Sequence, residues 1–251
     1  MTEASTSPRR HVGPLWGILG WTVAILMVGA LYLLWTLASD SFGRVVPAPE
    51  FVFAKLADLL ESDRFWKATG GTLIGWLPGF LLGGLLGLAV GIVGGRFRIM
   101  ASFFGPALLI VMAFPIPLTA TLLMTWEGLD GYFGRVLCAA LMTFVVVAAA
   151  LIVARKDRWD ADFWRSLCRG LAVAAILALG VVLFVEMFSG REKLGTMLSL
   201  AVTTFDMGQV FAIGIAAWIL GILVAAPFLL AGWLIALIAR WADRAQPDGS
   251  R

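Results

Sequence analysis

Histidine is almost missing from this chain. His11, in a polar N-terminal stretch, is the only one, and there are two cysteines, Cys138 and Cys168. A lone histidine in a tail removes most imidazole acid–base catalysis and most metal ligation. The cysteines fall in an apolar run and in a charged loop, which makes neither a disulfide framework nor a zinc pattern. Charge is scarce too: 14% of the 251 residues are charged, against ~25% in soluble domains. The basic residues are dispersed and the formal net charge is +3, so no nucleic-acid surface is expected. No GxxxxGK(S/T) loop is present to cradle ATP, and neither HExxH nor GxSxG occurs. The apolar runs hold no aspartate pair. These absences argue against an enzyme and call for no cofactor.

Apolar residues are what the chain has in excess, at 61% with a mean hydropathy of +0.93. The runs are long and lack period-2 alternation, which points to helical spans rather than a barrel. The pattern predicts an all-α polytopic membrane protein with six transmembrane helices. They run approximately over Leu15–Leu37, Thr72–Val93, Phe103–Met124, Val136–Ala154, Leu171–Phe188 and Phe211–Ala239. Residues 1–14 read as a disordered cytoplasmic tail, 15–239 as a single transmembrane domain and 240–251 as a second cytoplasmic tail. Most basic residues and a minority of acidic ones then fall in the cytoplasmic segments, as the positive-inside rule asks. The expected location is a bacterial cytoplasmic (inner) membrane, with both termini inside. Pro49-Glu50 reads as a helix start, and Phe51–Leu60 has helical apolar spacing around Lys55 and Asp58. A short amphipathic periplasmic helix at the membrane surface is expected there. Glu127–Arg135 and Ser189–Val210 read as loops.

Glycine is concentrated in the second span. It recurs at Gly71, Gly75, Gly79, Gly83, Gly87, Gly91 and Gly95, a spacing of four. Such a row reads either as close helix packing through small-xxx-small contacts or as the ordinary glycine content of membrane helices. Each step of four advances ~400°, so the row drifts ~40° per glycine. That drift predicts a helix buried among several neighbours, because one partner does not reach all seven.

Three features are candidates for chemistry. Phe114, Pro115 and Pro117, followed by Thr119 and Thr121, interrupt the third span. The prolines remove backbone donors mid-membrane, which reads as a plain kink or as a break lining a pathway. Glu186 is the acidic residue of the spans and sits near a span end, where a structural and a pathway role are both open. No basic residue is expected inside a span. The loop Arg155–Arg169 carries Arg158, Trp159, Phe163, Trp164 and Arg165. It reads as an aromatic-basic interfacial helix or as a docking surface for a soluble partner.

Several stretches in order carry a family resemblance. They are Val46-Pro47-Ala48-Pro49 before the amphipathic helix, the span opening Phe65-Trp66 with GFLLGGLLGLAVGIVGG, and Pro106. FPIPLTATLLMTWEGLDG at Phe114–Gly131 follows, then Val185-Glu186-Met187-Phe188, Leu194-Gly195 and Phe205-Asp206. The chain resembles the membrane-spanning permease subunits of bacterial ABC importers, in the nitrate, sulfonate and taurine branch, over about residues 44–239 with one gap. The resemblance implies a second permease subunit (a homo- or heterodimer), ATPase subunits that would hold any ATP hydrolysis, and a periplasmic substrate-binding protein. It implies small organic anions as substrates. Permeases of this family carry a cytoplasmic Glu-Ala-Ala-x-x-x-Gly signature that docks on the ATPase. Arg155–Arg169 stands in its place without that signature. The expected function is therefore a permease-like subunit forming part of a translocation pathway. The alternative is a non-transporting or passive scaffold subunit paired with an intact permease.

Overall fold

A computed structural model of the chain describes residues 14–43, 45–113, 122, 131–154, 161–189 and 192–245. Among these there are eight helices and no strand. In order they are α1 (Pro14–Phe42), α2 (Pro49–Glu61), α3 (Asp63–Arg96) and α4 (Arg98–Ala113), then α5 (Tyr132–Ala154), α6 (Ala161–Glu186), α7 (Leu194–Thr203) and α8 (Met207–Ala245). Five of them, α1, α3, α5, α6 and α8, contain stretches long and apolar enough to cross a bilayer. The chain has the make-up of a multi-pass membrane protein. The third expected span begins within α4, and its remainder lies outside the described residues.

Two compact units divide the chain, Met1–Phe53 and Ala54–Arg251, with the boundary inside α2. In the first unit α1 exposes its apolar side chains from Val23 to Leu34. A helix that is apolar all round suits a hydrocarbon surrounding. Its C-terminal part is tied to the proline segment: Trp35 Nε1 donates to Pro47 O at 3.0 Å, and Tyr32 Oη donates to Glu50 Oε1 at 3.1 Å. The Trp35 and Phe53 rings lie 6.0 Å apart.

The second unit is built on α3 and α5. A Cβ placed on Gly87 would stand 2.7 Å from Phe144 O and 3.0 Å from Val147 Cβ. One on Gly91 would stand 2.8 Å from Leu151 Cβ, and one on Gly95 3.2 Å from Leu151 O. Gly79 and Gly83 face the Val136 and Ala140 carbonyls still more closely. Six of the seven glycines, from Gly75 to Gly95, thus meet the same neighbour, α5, and only Gly71 meets something else, the Lys193 side chain. Several helices pack on α3, as expected, among them α4, α6 and α7, but a single partner reaches more of the row than the drift suggested. The reason is that α5 presents its own four-residue row, Val136, Ala140, Phe144 and Ala148. A repeat longer than the 3.6-residue turn winds right-handedly, so two such stripes follow each other and the drift causes no loss of contact. Residue numbers rise together along the seam, so α3 and α5 are parallel.

Helix α6 lies antiparallel on this pair. Its Gly170 meets Ala150 near the end of α5, and its Glu186 meets Arg135 near the start. The interface is made of small side chains: Ala174, Ala175 and Ala178 are fully buried, beside Leu179 and Val182. Trp76 and Phe80 of α3 stack 5.0 Å apart against them, and Trp76 Nε1 donates to Ala175 O at 3.2 Å. Helix α8 runs antiparallel to α6, since Gly221 approaches Ile176 and Gly232 approaches Cys168. The α6 helix starts at Ala161, ten residues before the expected span, so residues 161–169 of the expected charged loop are helical. Likewise α8 continues to Ala245, through the first part of the expected C-terminal tail.

The expected loop 189–210 contains α7 instead. Leu194, Met197 and Ala201 recur at helical spacing and are buried with Leu56, Leu59, Phe65, Ala68, Ile213 and Ala216. With 10 residues α7 is too short to cross a bilayer, and a span-length search passes over it. Phe205 adopts a left-handed φ of 57° after it, and Asp206 Oδ1 then accepts from Gln209 N at 3.0 Å, which caps α8.

Neighbouring glycines test the seam. Gly83 has no room for a side chain, whereas a Cβ on Gly84 would meet nothing nearer than 3.8 Å. Gly83→Ala is expected to cost at least ~1–3 kcal/mol through overpacking, and Gly83→Leu to abolish assembly. Gly84→Ala is expected to be neutral or to stabilise by up to ~1 kcal/mol. Unfolding followed by tryptophan fluorescence in micelles reads both, and equal midpoints for the two alanine variants would refute the seam.

Candidate functional site

At one end of the second unit, three charged side chains are buried: Arg135 (3% exposed), Glu186 (0%) and Lys193 (6%). Four helices bring them together. Gly131 has a φ of 52°, a left-handed conformation that glycine adopts without strain, and α5 starts directly after it. Arg135 is therefore in the first turn of α5 and not in a loop. Its backbone N–H donates to Gly131 O at 3.1 Å, and its Nε to the same oxygen at 3.3 Å. The guanidinium passes over Gly75, where a Cβ would stand 2.8 Å from Nη1 and 3.2 Å from Cζ. Nη1 reaches Gly71 O at 3.1 Å and Glu186 Oε1 at 3.1 Å. The Tyr132 ring lies 5.7 Å from Cζ, within cation–π range.

Glu186 closes the last turn of α6. Its Oε2 accepts from Thr72 Oγ1 at 2.7 Å and from Gly195 N at 3.3 Å. Thr72 Oγ1 in turn accepts from Leu194 N at 3.2 Å. Leu194 and Gly195 open α7, so two otherwise unpaired first-turn amides point at this oxygen cluster, and the positive end of the helix dipole faces a carboxylate. Gly195 must lack a side chain because a Cβ there would fall 2.6 Å from Glu186 Cβ. Thr196 Oγ1 donates to Glu186 O at 2.9 Å. Lys193 stands beside the cluster, its Nζ 3.5 Å from Ser189 Oγ.

The chemistry of this arrangement is fastening. It satisfies a buried carboxylate by a guanidinium, a hydroxyl and an amide, and so ties α3, α5, α6 and α7 at one level. A buried ion pair is costly to form and costlier to halve, since removal of one partner leaves a bare charge in a low dielectric.

The sequence-derived candidates fare differently. The glycine row lines the α3–α5 seam, with Gly75 also making room for Arg135. Glu186 is at the centre of the buried cluster. Phe114, Pro115, Pro117, Thr119 and Thr121 lie outside the described residues, as do Arg158 and Trp159. Phe163 is buried in the α3–α6 core with Leu167, while Trp164 is 43% exposed. The expected single aromatic face therefore splits between two sides of α6. Arg165 pairs with Asp162. Arg135, Thr72 and Lys193 were missed. The signal for Arg135 lay in its phase, for it heads a four-residue series with Ala139, Thr143, Val147 and Leu151, all buried.

Comparison of the sequence with protein-family models and with curated proteins finds no match.

Substitution separates pairing from packing at this site. Arg135→Met and Glu186→Met alone should each cost ~3–5 kcal/mol, and the double variant less than either single one. Thr72→Val should cost ~1–3 kcal/mol, because it strands the Leu194 amide and removes a donor from Glu186. Denaturant unfolding of the detergent-solubilised chain gives all four values, and additive single effects would show that the pair is not coupled.

Proposed function

We propose that the chain is a permease-like subunit of an ABC-type importer and contributes part of a translocation pathway through the membrane. One observation carries this reading. Sequence pieces that resemble such permeases lie far apart in the chain: the glycine-rich span on one side, and Glu186 with the Leu194-Gly195 pair on the other, and 114 positions separate Thr72 from Glu186. They meet in one buried cluster through Thr72, Glu186 and the first amides of α7. Pieces whose order suggested a common architecture are also in mutual contact.

The seam supports a six-crossing topology as part of the same proposal. Helices α3 and α5 are parallel, so the chain leaving α3 at Arg96 has to return to the starting side before Gly131. The 20 residues from Gly75 to Gly95 rise ~30 Å, about the hydrocarbon thickness. A return over that distance adds one crossing to the five apolar helices. In this reading both termini face the cytoplasm, and the Arg135–Glu186 cluster faces the outer side, where a binding protein would deliver small organic anions. A second permease subunit completes the pathway, and separate ATPase subunits drive it.

A specific observation keeps the passive alternative alongside. Phe163 and Leu167 face the protein core, so Phe163 is withdrawn from the docking face that an ATPase would use. Together with the missing Glu-Ala-Ala signature, this favours a subunit that rides with an intact permease.

Affinity capture of the tagged chain from its own membranes distinguishes the two. An importer subunit is expected to retain an ATPase subunit and, in proteoliposomes, to support ATP-dependent uptake. The passive subunit is expected to retain a second permease without direct ATPase contact. Capture of neither refutes both. Reporters fused after Arg96 and after Gly131 should report opposite sides of the membrane, and a shared side would overturn the sixth crossing.

A further inference from the structure

At the other end of the second unit, α6 and α8 part to leave a cavity of about 280 Å³, with Arg165, Arg169, Phe228, Leu229, Gly232 and Trp233 in its lining. We propose that this groove binds the phosphate headgroup of an anionic phospholipid. The proposal needs only that α6 and α8 cross the bilayer, and is independent of the transport reading.

Depth is the first argument. Cys168, beside the groove, is 18 residues from Glu186 on the same helix, a rise of ~27 Å. With a hydrocarbon core of ~30 Å, a charged cluster at each end of α6 puts the arginines at headgroup level. Charge is the second. Arg165 and Arg169 are one helical turn apart and share a face of α6. Arg165 Nε donates to Ala161 O at 3.3 Å and one Nη bonds Asp162, which leaves further donors of its five N–H groups. Arg169 is exposed and has no ion-pair partner among the described residues. Among the described residues one carboxylate against two guanidiniums leaves the groove positive, and the planar fork of arginine suits phosphate oxygens.

Shape is the third argument, and it selects a lipid over a free anion. The groove opens onto an apolar track on α8. Trp233 (61% exposed), Leu229 (55%), Ile222 (47%) and Trp218 (69%) follow one another along one face of the helix toward the opposite end. A free phosphate has no use for that track, whereas an acyl chain lies along it. An exposed tryptophan beside two arginines is the composition that membrane interfaces favour. Basic pockets between helices are the pattern by which lipid phosphates are held. At Gly232, where a Cβ would meet Cys168 Cβ at 3.2 Å, α8 packs closely on α6 and forms the floor of the groove.

Retained lipid tests this. The full chain, reconstituted in equal phosphatidylglycerol and phosphatidylcholine and then extracted, is expected to carry phosphatidylglycerol in several-fold excess. Mass spectrometry of the bound lipid reads the ratio. Arg165→Gln with Arg169→Gln should abolish that enrichment and return the retained lipid to nearly the bulk ratio. Arg64→Gln, at the other end of the unit, should leave it unchanged. Retention of both lipids in the bulk ratio by the unmodified chain overturns the proposal whether or not the double variant folds. So does an enrichment that survives in the double variant. Displacement of the lipid by an equal concentration of inorganic phosphate would make this a free-anion site and overturn the lipid assignment.

Discussion

The contact on which the rest of this protein depends is backbone against backbone between α3 and α5. Inside a bilayer, burying an apolar side chain gains nothing over leaving it in lipid, so helices associate through dispersion and weak polar contacts at close range. Gly79, Gly83 and Gly87 let the Val136, Ala140 and Phe144 carbonyls of α5 approach where a Cβ would otherwise stand. That is the geometry of Cα–H···O contacts, each worth a fraction of a kcal/mol to ~1 kcal/mol. The seam repeats them over about two turns, and Gly95 meets one more carbonyl, that of Leu151, further along. The alanine-rich face of α6 then lies on the paired helices, and α8 on α6.

The same glycine row changes its role at one end. From Gly79 onward, glycine admits a neighbouring helix backbone or its short side chains. At Gly75 it admits an arginine side chain, and Gly195 does the equivalent for the start of α7 against Glu186. The buried charge cluster is thus possible only because glycines on two helices remove the atoms that would exclude it. Packing and electrostatics are not separable here. The ion pair needs the space that the glycines leave, and the helices that meet there need the ion pair to satisfy their polar groups.

How much of this the sequence displays follows from the range of each signal. Helix α2 is legible because its amphipathic period and its Pro49-Glu50 start are local. The glycine row is legible because its spacing is local as well. Its single partner is not, since that depends on a matching four-residue row some sixty residues away in α5. Glu186 stands out because a carboxylate in an apolar run is rare. Arg135 does not, because hydropathy places it just outside a span, while the backbone turn at Gly131 places it just inside a helix. Helix α7 escapes because 10 apolar residues are too few for a span and are bounded by polar residues that read as loop. The division of Phe163 from Trp164 is a matter of where α6 begins, and helix starts are the least determined feature of any sequence pattern.

A seam that repeats every four residues has a weakness of its own, which the buried cluster removes. Sliding α3 along α5 by one turn would again set glycine against the α5 carbonyls, with almost the same close contacts. Such a slip changes the residue that meets Glu186. In one direction Trp76 takes the place of Thr72, and in the other Ala68 does. Neither can donate a hydroxyl to Glu186 Oε2 while accepting from Leu194 N, as Thr72 does at 2.7 and 3.2 Å. Each buried polar group stranded in this way costs ~1–3 kcal/mol, which is large against the small difference between two glycine registers. Close packing therefore supplies the attraction between α3 and α5, and the hydroxyl–carboxylate–amide junction at one end selects the register. Buried polar groups that fix the alignment of otherwise repetitive helices are the best-attested use of such costly interactions. Here that use accounts for why an ion pair, a threonine and two glycines converge at the one level where the seam ends.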